Sequence, residues 1–123
     1  MPASSPTGRS MSSSTGVASE LSLRFKREAG QVVVQVGGEL DCASTQLLLE
    51  RLLDVIEAQG NLVIALDLSG VRFIDSSGLH AVVSIHGLLQ ARGGTLVLRR
   101  PPLTVRRLLE ITGMTDVLTV AHA

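Results

Sequence analysis

The segment Leu62-Val63-Ile64-Ala65-Leu66 is a continuous apolar run, and stretches with helical spacing lie on both sides of it. A strand with one wet face alternates apolar and polar residues, whereas an unbroken run of this length reads as a central strand covered on at least one face. Before it, Leu48, Leu49, Leu52, Leu53 and Ile56 recur at helical intervals, with Glu50, Arg51, Asp54 and Glu57 on the other side. After it, Leu79, Val82, Val83, Ile85 and Leu89 mark a second helix over about Ser76 to Ala91. A buried strand with a helix on either side belongs to a sheet built by crossovers, which join parallel strands in a right-handed sense.

The remaining segments complete that pattern. Leu21, Leu23 and Phe25 alternate with Ser22, Arg24 and Lys26, the period of a half-buried strand. Val32-Val33-Val34-Gln35-Val36 is β-branched and forms a second strand, paired with the first through a tight turn at Glu28-Ala29-Gly30-Gln31. Gly60 suits the position just past the first helix, and Gly93-Gly94 ends the second. Thr95-Leu96-Val97-Leu98 is a further strand. Pro101-Pro102 opens a third helix, where a proline lacks no needed N–H. Val105, Leu108, Leu109 and Ile111 give that helix its apolar stripe and Gly113 its stop, and Val117-Leu118-Thr119-Val120 is a short last strand. The expected order is β-β-α-β-α-β-α-β, a single α/β domain over residues 20–121 with a mixed sheet of about five strands. Residues 1–19 are rich in Ser, Thr, Gly and Pro and poor in bulky apolar groups, so they read as a flexible tail.

Composition removes several functional classes. Lys+Arg and Asp+Glu balance at 11 each, and the chain has no Trp or Tyr, so it lacks both the basic surplus and the stacking platforms of a nucleic-acid binder. No apolar run approaches the ~20 residues of a membrane span. The opening Met1–Thr7 stretch has no apolar signal region, and a cytoplasmic protein is expected. Cys42 is the only cysteine, so it forms no internal disulfide and is read as a small, half-buried side chain. No cofactor or metal of its own is expected.

The chemistry concentrates where the central strand leads into the second helix, at Asp75-Ser76-Ser77-Gly78. A short loop is expected from about Asp67, anchored in the core by Phe73 and Ile74. Asp75 suits the N-cap, its carboxylate accepting from the N–H of Ser77 or Gly78. Ser76 and Ser77 then lie in the first turn, near the positive end of the helix dipole, with exposed hydroxyls. A phosphate there would bring about −1.5 to −2 charge, which a helix N-terminus accommodates and a partner packed on the turn would not. A plain helix cap uses the same residue types, and the tetrapeptide alone does not choose between the two.

The segment Leu66–Leu79 resembles the anti-sigma factor antagonists of the STAS family. Gly38-Glu39-Leu40-Asp41 is similar to the family's first loop, and Pro102–Val120 to its final helix and strand, so the resemblance runs over about Leu21 to Val120 in register. It implies a STAS-like domain that binds an anti-sigma factor with a GHKL-type ATPase fold and thereby frees a sigma factor. It also implies that this partner is a serine kinase, using its own ATP and Mg²⁺. The phosphate acceptor would be Ser76, with Ser77 as second choice, and a separate serine phosphatase would reset the protein. The partner-binding set carried over is Asp41, Asp75, Ser76, Ser77, Gly78, Leu79 and His80, on a monomer or weak dimer. An alternative within the fold is a subunit of a lipid-transport or stress-sensing assembly.

His80 departs from the family, whose members often carry Gly there. It is four residues from Ser76, so it can face a phosphate on that serine, although an exposed histidine without a role fits the sequence as well. His86 falls on the apolar side of the same helix and reads as a core or boundary histidine. Asp41 has a competing reading as a helix cap. Arg106 and Arg107 read as a solvated face, and Arg99-Arg100 as a solvated strand end. A serine hydrolase is disfavoured, because neither Ser76 nor Ser77 lies in a Gly-x-Ser-x-Gly elbow, and no P-loop motif is present.

Overall fold

A computed structural model describes residues 21–59 and 62–121. The expected tail, Glu20, the cap at Gly60 and His122 lie outside the described residues. The elements are β1 (Leu21–Glu28), β2 (Gln31–Leu40), α1 (Thr45–Gln59), β3 (Val63–Ile74), α2 (Ser76–Ala91), β4 (Thr95–Arg99), α3 (Leu103–Ile111), a 3-10 turn (Met114–Asp116) and β5 (Thr119–Ala121). The five strands form one sheet in the order β1-β2-β3-β4-β5. β1 runs antiparallel to β2, and every other pair is parallel. The mixed α/β architecture and element order expected from the sequence are therefore those observed.

Local chemistry accounts for the joints. Ala29 (φ 50°) and Gly30 (φ 81°) both take positive φ, as the two-residue hairpin turn that matches strand twist requires. Helix α3 starts just after Pro102, which occupies the cap position in extended conformation, and Gly113 supplies the left-handed residue that ends the α3 segment.

One face of the sheet carries the core. Val32, Val34 and Val36 of β2, Ile64, Leu66 and Leu68 of β3, and Leu96 and Leu98 of β4 pack with Leu48, Leu52 and Ile56 of α1, Val82, Ile85 and Leu89 of α2, and Val105 and Leu109 of α3. Each fully buried Leu or Ile contributes on the order of 1.5–3 kcal/mol. On the opposite face, β4 presents half-buried Thr95, Val97 and Arg99 between its buried residues. Three crossovers that all step the same way along the sheet place their helices on one side.

Several expectations are corrected. The segment after Asp67 is not a loop: β3 continues through it to Ile74, keeping its ladder with β2 across two register shifts. Gly70 permits this, since a Cβ there would lie 3.1 Å from the Val36 carbonyl oxygen and 3.2 Å from the Gly37 Cα. Phe73 is no core anchor, being 50% exposed, whereas its neighbour Ile74 packs on the core. Strand alternation forces that choice, because the two residues point to opposite faces. Ile111 is 82% exposed, because α3 is short and ends there, leaving Val105 and Leu109 as its buried contacts. Val83 is half-buried. Val117 and Leu118 precede the last strand and follow the 3-10 turn. Cys42 is exposed, in the turn before α1, rather than half-buried.

Candidate functional site

β2 and β3 end side by side, with Leu40 paired to Ile74. The N–H of Asp75 donates to the Leu40 carbonyl at 3.1 Å, so the two chains separate only after their last strand residues. Each then turns into a helix at the carboxyl end of the parallel strands, the end at which open α/β sheets place their binding sites. Asp41 and the Asp75–Gly78 turn are thereby brought to one edge of the molecule.

Asp75 caps α2. Its backbone is extended (φ −111°, ψ −172°), and its Oδ1 accepts from the Gly78 N–H at 3.1 Å, one of the two donors foreseen. Its carbonyl accepts the first helical bond, from the Leu79 N–H at 3.0 Å. Gly78 is pressed against the end of β2, where an added Cβ would lie 2.7 Å from the Leu40 carbonyl oxygen and 2.8 Å from the Leu40 Cβ and Ile74 Cγ1. Only a residue without a side chain lets the helix start this close to the strand. Gly78 thus pins the turn by its close packing on β2, and Asp75 pins it by capping the first turn of α2.

The serines differ in access. Ser76 is exposed and Ser77 is half-buried. His80, one turn along α2, is exposed. Leu79, expected among the contact residues, is only 8% exposed and belongs to the core, so its side chain anchors the turn rather than presenting itself. Gly78 is buried for the same reason.

Asp41 is half-buried and organises the turn before α1. Its Oδ1 accepts from the N–H groups of Ala43 (3.0 Å) and Ser44 (2.9 Å), and its own N–H donates to Ser44 Oγ at 3.0 Å. Ser44 Oγ donates in turn to the Glu39 carbonyl. The Asp41 carboxylate thus caps the turn that leads into α1 and not α1 itself, which begins at Thr45, and that turn lies beside the start of α2. Among the described residues no three His, Cys, Asp or Glu side chains gather as a metal site. No described helix is long and apolar enough to cross a membrane.

Two features were not foreseen. Asp67 of β3 is 2% exposed and pairs with Arg100, which adopts φ 51° just after β4. Burial pushes the Asp67 carboxyl up, but the hydrogen bonds from Arg100 and the Ser69 N–H outweigh it and hold the group below the usual carboxylate range. Arg100 is thus more than a solvated strand end. The sequence offered one sign of the pair, an acidic residue embedded in an apolar strand. The other feature is Phe73, which places an aromatic ring on the surface two residues before the cap. The alternation that buries Ile74 could have revealed it.

Fold and turn together define a small α/β domain with an exposed serine at the start of its second helix. The STAS domain family matches residues 22–123, and the chain belongs to that family. It is 32% identical over 103 residues to the anti-sigma-B factor antagonist of Listeria monocytogenes, covering 83% of this chain and 90% of the relative. Identity to the anti-sigma-B factor antagonist of Bacillus subtilis is 29% over 101 residues, 82% of this chain and 91% of that one. The fold also matches the Bacillus anti-sigma factor antagonist SpoIIAA in its unphosphorylated form, at 24% identity, with a TM-score of 0.70 over 82% of this chain and 89% of that one. Its phosphorylated form matches at 22% identity, with a TM-score of 0.65 over 82% and 92%.

Proposed function

We propose that this chain is an anti-sigma factor antagonist switched by phosphorylation of Ser76. In the unphosphorylated state its Asp75–Gly78 edge binds an anti-sigma factor of the GHKL ATPase type, and the sigma factor is released. Asp41, Asp75, Ser76, Ser77 and His80 form the contact edge, with Gly78 and Leu79 holding it in shape. The partner supplies ATP and Mg²⁺, so the chain needs no cofactor of its own. Residues 20–121 act as the domain and residues 1–19 as its tail, in the cytoplasm, on a monomer or weak dimer.

The observation that carries this reading is the access of Ser76 on an otherwise fixed turn, with Ser77 half-buried beside it. In the transfer, Ser76 Oγ attacks the γ-phosphorus of ATP, the bond to the β,γ-bridging oxygen breaks, ADP leaves, and the hydroxyl proton passes to a base of the kinase. The phosphate adds about −1.5 to −2 charge beside the carboxylate of Asp75. The free N–H groups of the first turn tolerate it, so the domain stays folded. A partner face seated on the same turn loses its fit and meets unpaired charge, which costs several kcal/mol when desolvated. A serine phosphatase reverses the step by hydrolysis.

Incubation with the ATPase partner and Mg-ATP should add one phosphate, located by peptide mass spectrometry at Ser76. A phosphate found only within residues 1–19 would sink the assignment. Ser76→Ala should still bind the partner, and Ser76→Asp should bind it poorly.

A further inference from the structure

Ser76 and His80 are both exposed on α2 and stand four residues apart. Residues at that spacing lie one above the other on a helix face, with Cβ atoms about 5–6 Å apart. Helical side chains lean toward the N-terminus, over the turn before their own Cα. The imidazole of His80 therefore leans over the turn that Ser76 opens. The Asp75 carboxylate is turned inward to the Gly78 N–H.

We propose that His80 is the positioning residue for a phosphate on Ser76, its ring N–H donating a charge-assisted hydrogen bond that holds the phosphate against α2. This rests on the reading of Ser76 as the phosphate acceptor. The chemistry matches because phosphate oxygens accept hydrogen bonds and an imidazole N–H donates, and an ionised acceptor makes such a bond one of the strong ones. Among the other charged groups near this helix start, Glu39 lies near the end of β2 and Arg72 is exposed on β3, four residues before Ser76. Asp75 caps α2, Asp41 lies in the turn before α1, and the first turn of α1 is uncharged, its nearest charges being Glu50 and Arg51 on an exposed or outer face. No lysine or arginine on α2 competes for the phosphate before Arg92 at its far end.

A held phosphate is also a shielded one. His80 thus sets how long the off state lasts, by limiting how readily a phosphatase removes the group from its helix face.

The test uses full-length protein with phosphoserine placed at position 76 during translation, alone and combined with His80→Ala or His80→Lys. The phosphorus NMR signal is followed through a pH titration. A hydrogen-bonded side-chain pair at this spacing predicts a second phosphate ionisation about 0.2–0.4 pH unit lower with His80 than with His80→Ala, and His80→Lys should restore the low value. Phosphate release by a serine phosphatase should be faster in His80→Ala than in the parent. Equal titration midpoints for the parent and His80→Ala would overturn the proposal. The switch reading is judged separately on the same protein. If the phosphoserine form binds the ATPase partner as tightly as the unmodified chain, that reading falls while the titration still decides the role of His80.

Discussion

Two glycines on α2 should respond in opposite directions to the same substitution. A Cβ at Gly78 would lie 2.7 Å from the Leu40 carbonyl oxygen and 2.8 Å from both the Leu40 Cβ and the Ile74 Cγ1, well inside ordinary contact. Two of those atoms belong to Leu40, which is fully buried at the end of β2 and cannot swing aside. Gly87, nine residues on, would meet nothing within 4 Å. Alanine gains up to about 1 kcal/mol over glycine from helix propensity alone. At Gly87 that gain stands unopposed, so Gly87→Ala should stabilise the domain by about 0.5–1 kcal/mol. At Gly78 overpacking costs about 1–3 kcal/mol, and the propensity gain is partial in a first turn. The net is a loss of about 1–2 kcal/mol for Gly78→Ala.

A domain of this size shifts its melting temperature by about 4–8 °C per kcal/mol. Thermal unfolding should therefore place Gly78→Ala roughly 5–15 °C below the parent and Gly87→Ala a few degrees above it. The contact also holds the helix start to the strand end, so Gly78→Ala should slow Ser76 phosphorylation and weaken partner binding more than its stability loss explains. Gly87→Ala should leave both unchanged. A melting temperature for Gly78→Ala at or above that of the parent would show that the turn relaxes freely. Gly78 would then not be what fixes the position of Ser76.

Further outcomes follow from the same geometry. Asp75→Ala removes the cap on α2 and should cost about 1 kcal/mol in a denaturant titration, while Asp75→Asn should recover most of it. Asp67→Asn removes the charge that Arg100 pairs with in a buried site, and should cost about 1.5–3 kcal/mol at pH 7. Since the Asp67 carboxyl lies below its usual range in the fold, its stabilisation is full above about pH 4 and is lost as pH falls through the folded value. The gap between Asp67→Asn and the parent should therefore narrow on acidification to pH 3, and a constant gap would refute the pairing. Phe73→Ser should leave the unfolding free energy within about 1 kcal/mol of the parent, because the ring is half-exposed, and should weaken partner binding if the ring lies in the contact, as calorimetry would show.

Long elements with a strong period were legible from the residues, and local packing was not. Helix α2 runs from Ser76 to Ala91 as its spacing and cap predict, because a capped helix is specified by neighbours in sequence. The extent of β3 depends instead on neighbours in space. From Asp67 on it carries Asp67, Ser69, Gly70 and Arg72, which read as a loop, yet the β2 ladder and the close approach at Gly37 and Gly70 keep it a strand. The inward role of Gly78 was equally hidden, since nothing in Asp-Ser-Ser-Gly says that Leu40 lies beneath it. Ile111 fits the apolar stripe of α3 by spacing, but a nine-residue helix presents its last residue to solvent.

This division between what fixes the turn and what it displays is the property a reversible switch needs. The fixing contacts point inward: Gly78 against Leu40, Leu79 into the core, the Asp75 N–H to Leu40, and Asp75 Oδ1 to Gly78. The displayed groups, Ser76 and His80, point outward and belong to none of these contacts. A charge added to Ser76 therefore acts on whatever packs against the turn and leaves the turn in place. Were Ser77 the acceptor, its half-buried hydroxyl would have to rotate out of the first turn to enter a kinase, at some cost to the cap. Phosphorylation of Ser77 should accordingly lower the melting temperature, whereas phosphorylation of Ser76 should leave it unchanged or raise it slightly through the helix dipole. Calorimetry of the two phosphoserine proteins separates these cases, and a destabilised Ser76 form would contradict the claim that display and support are independent.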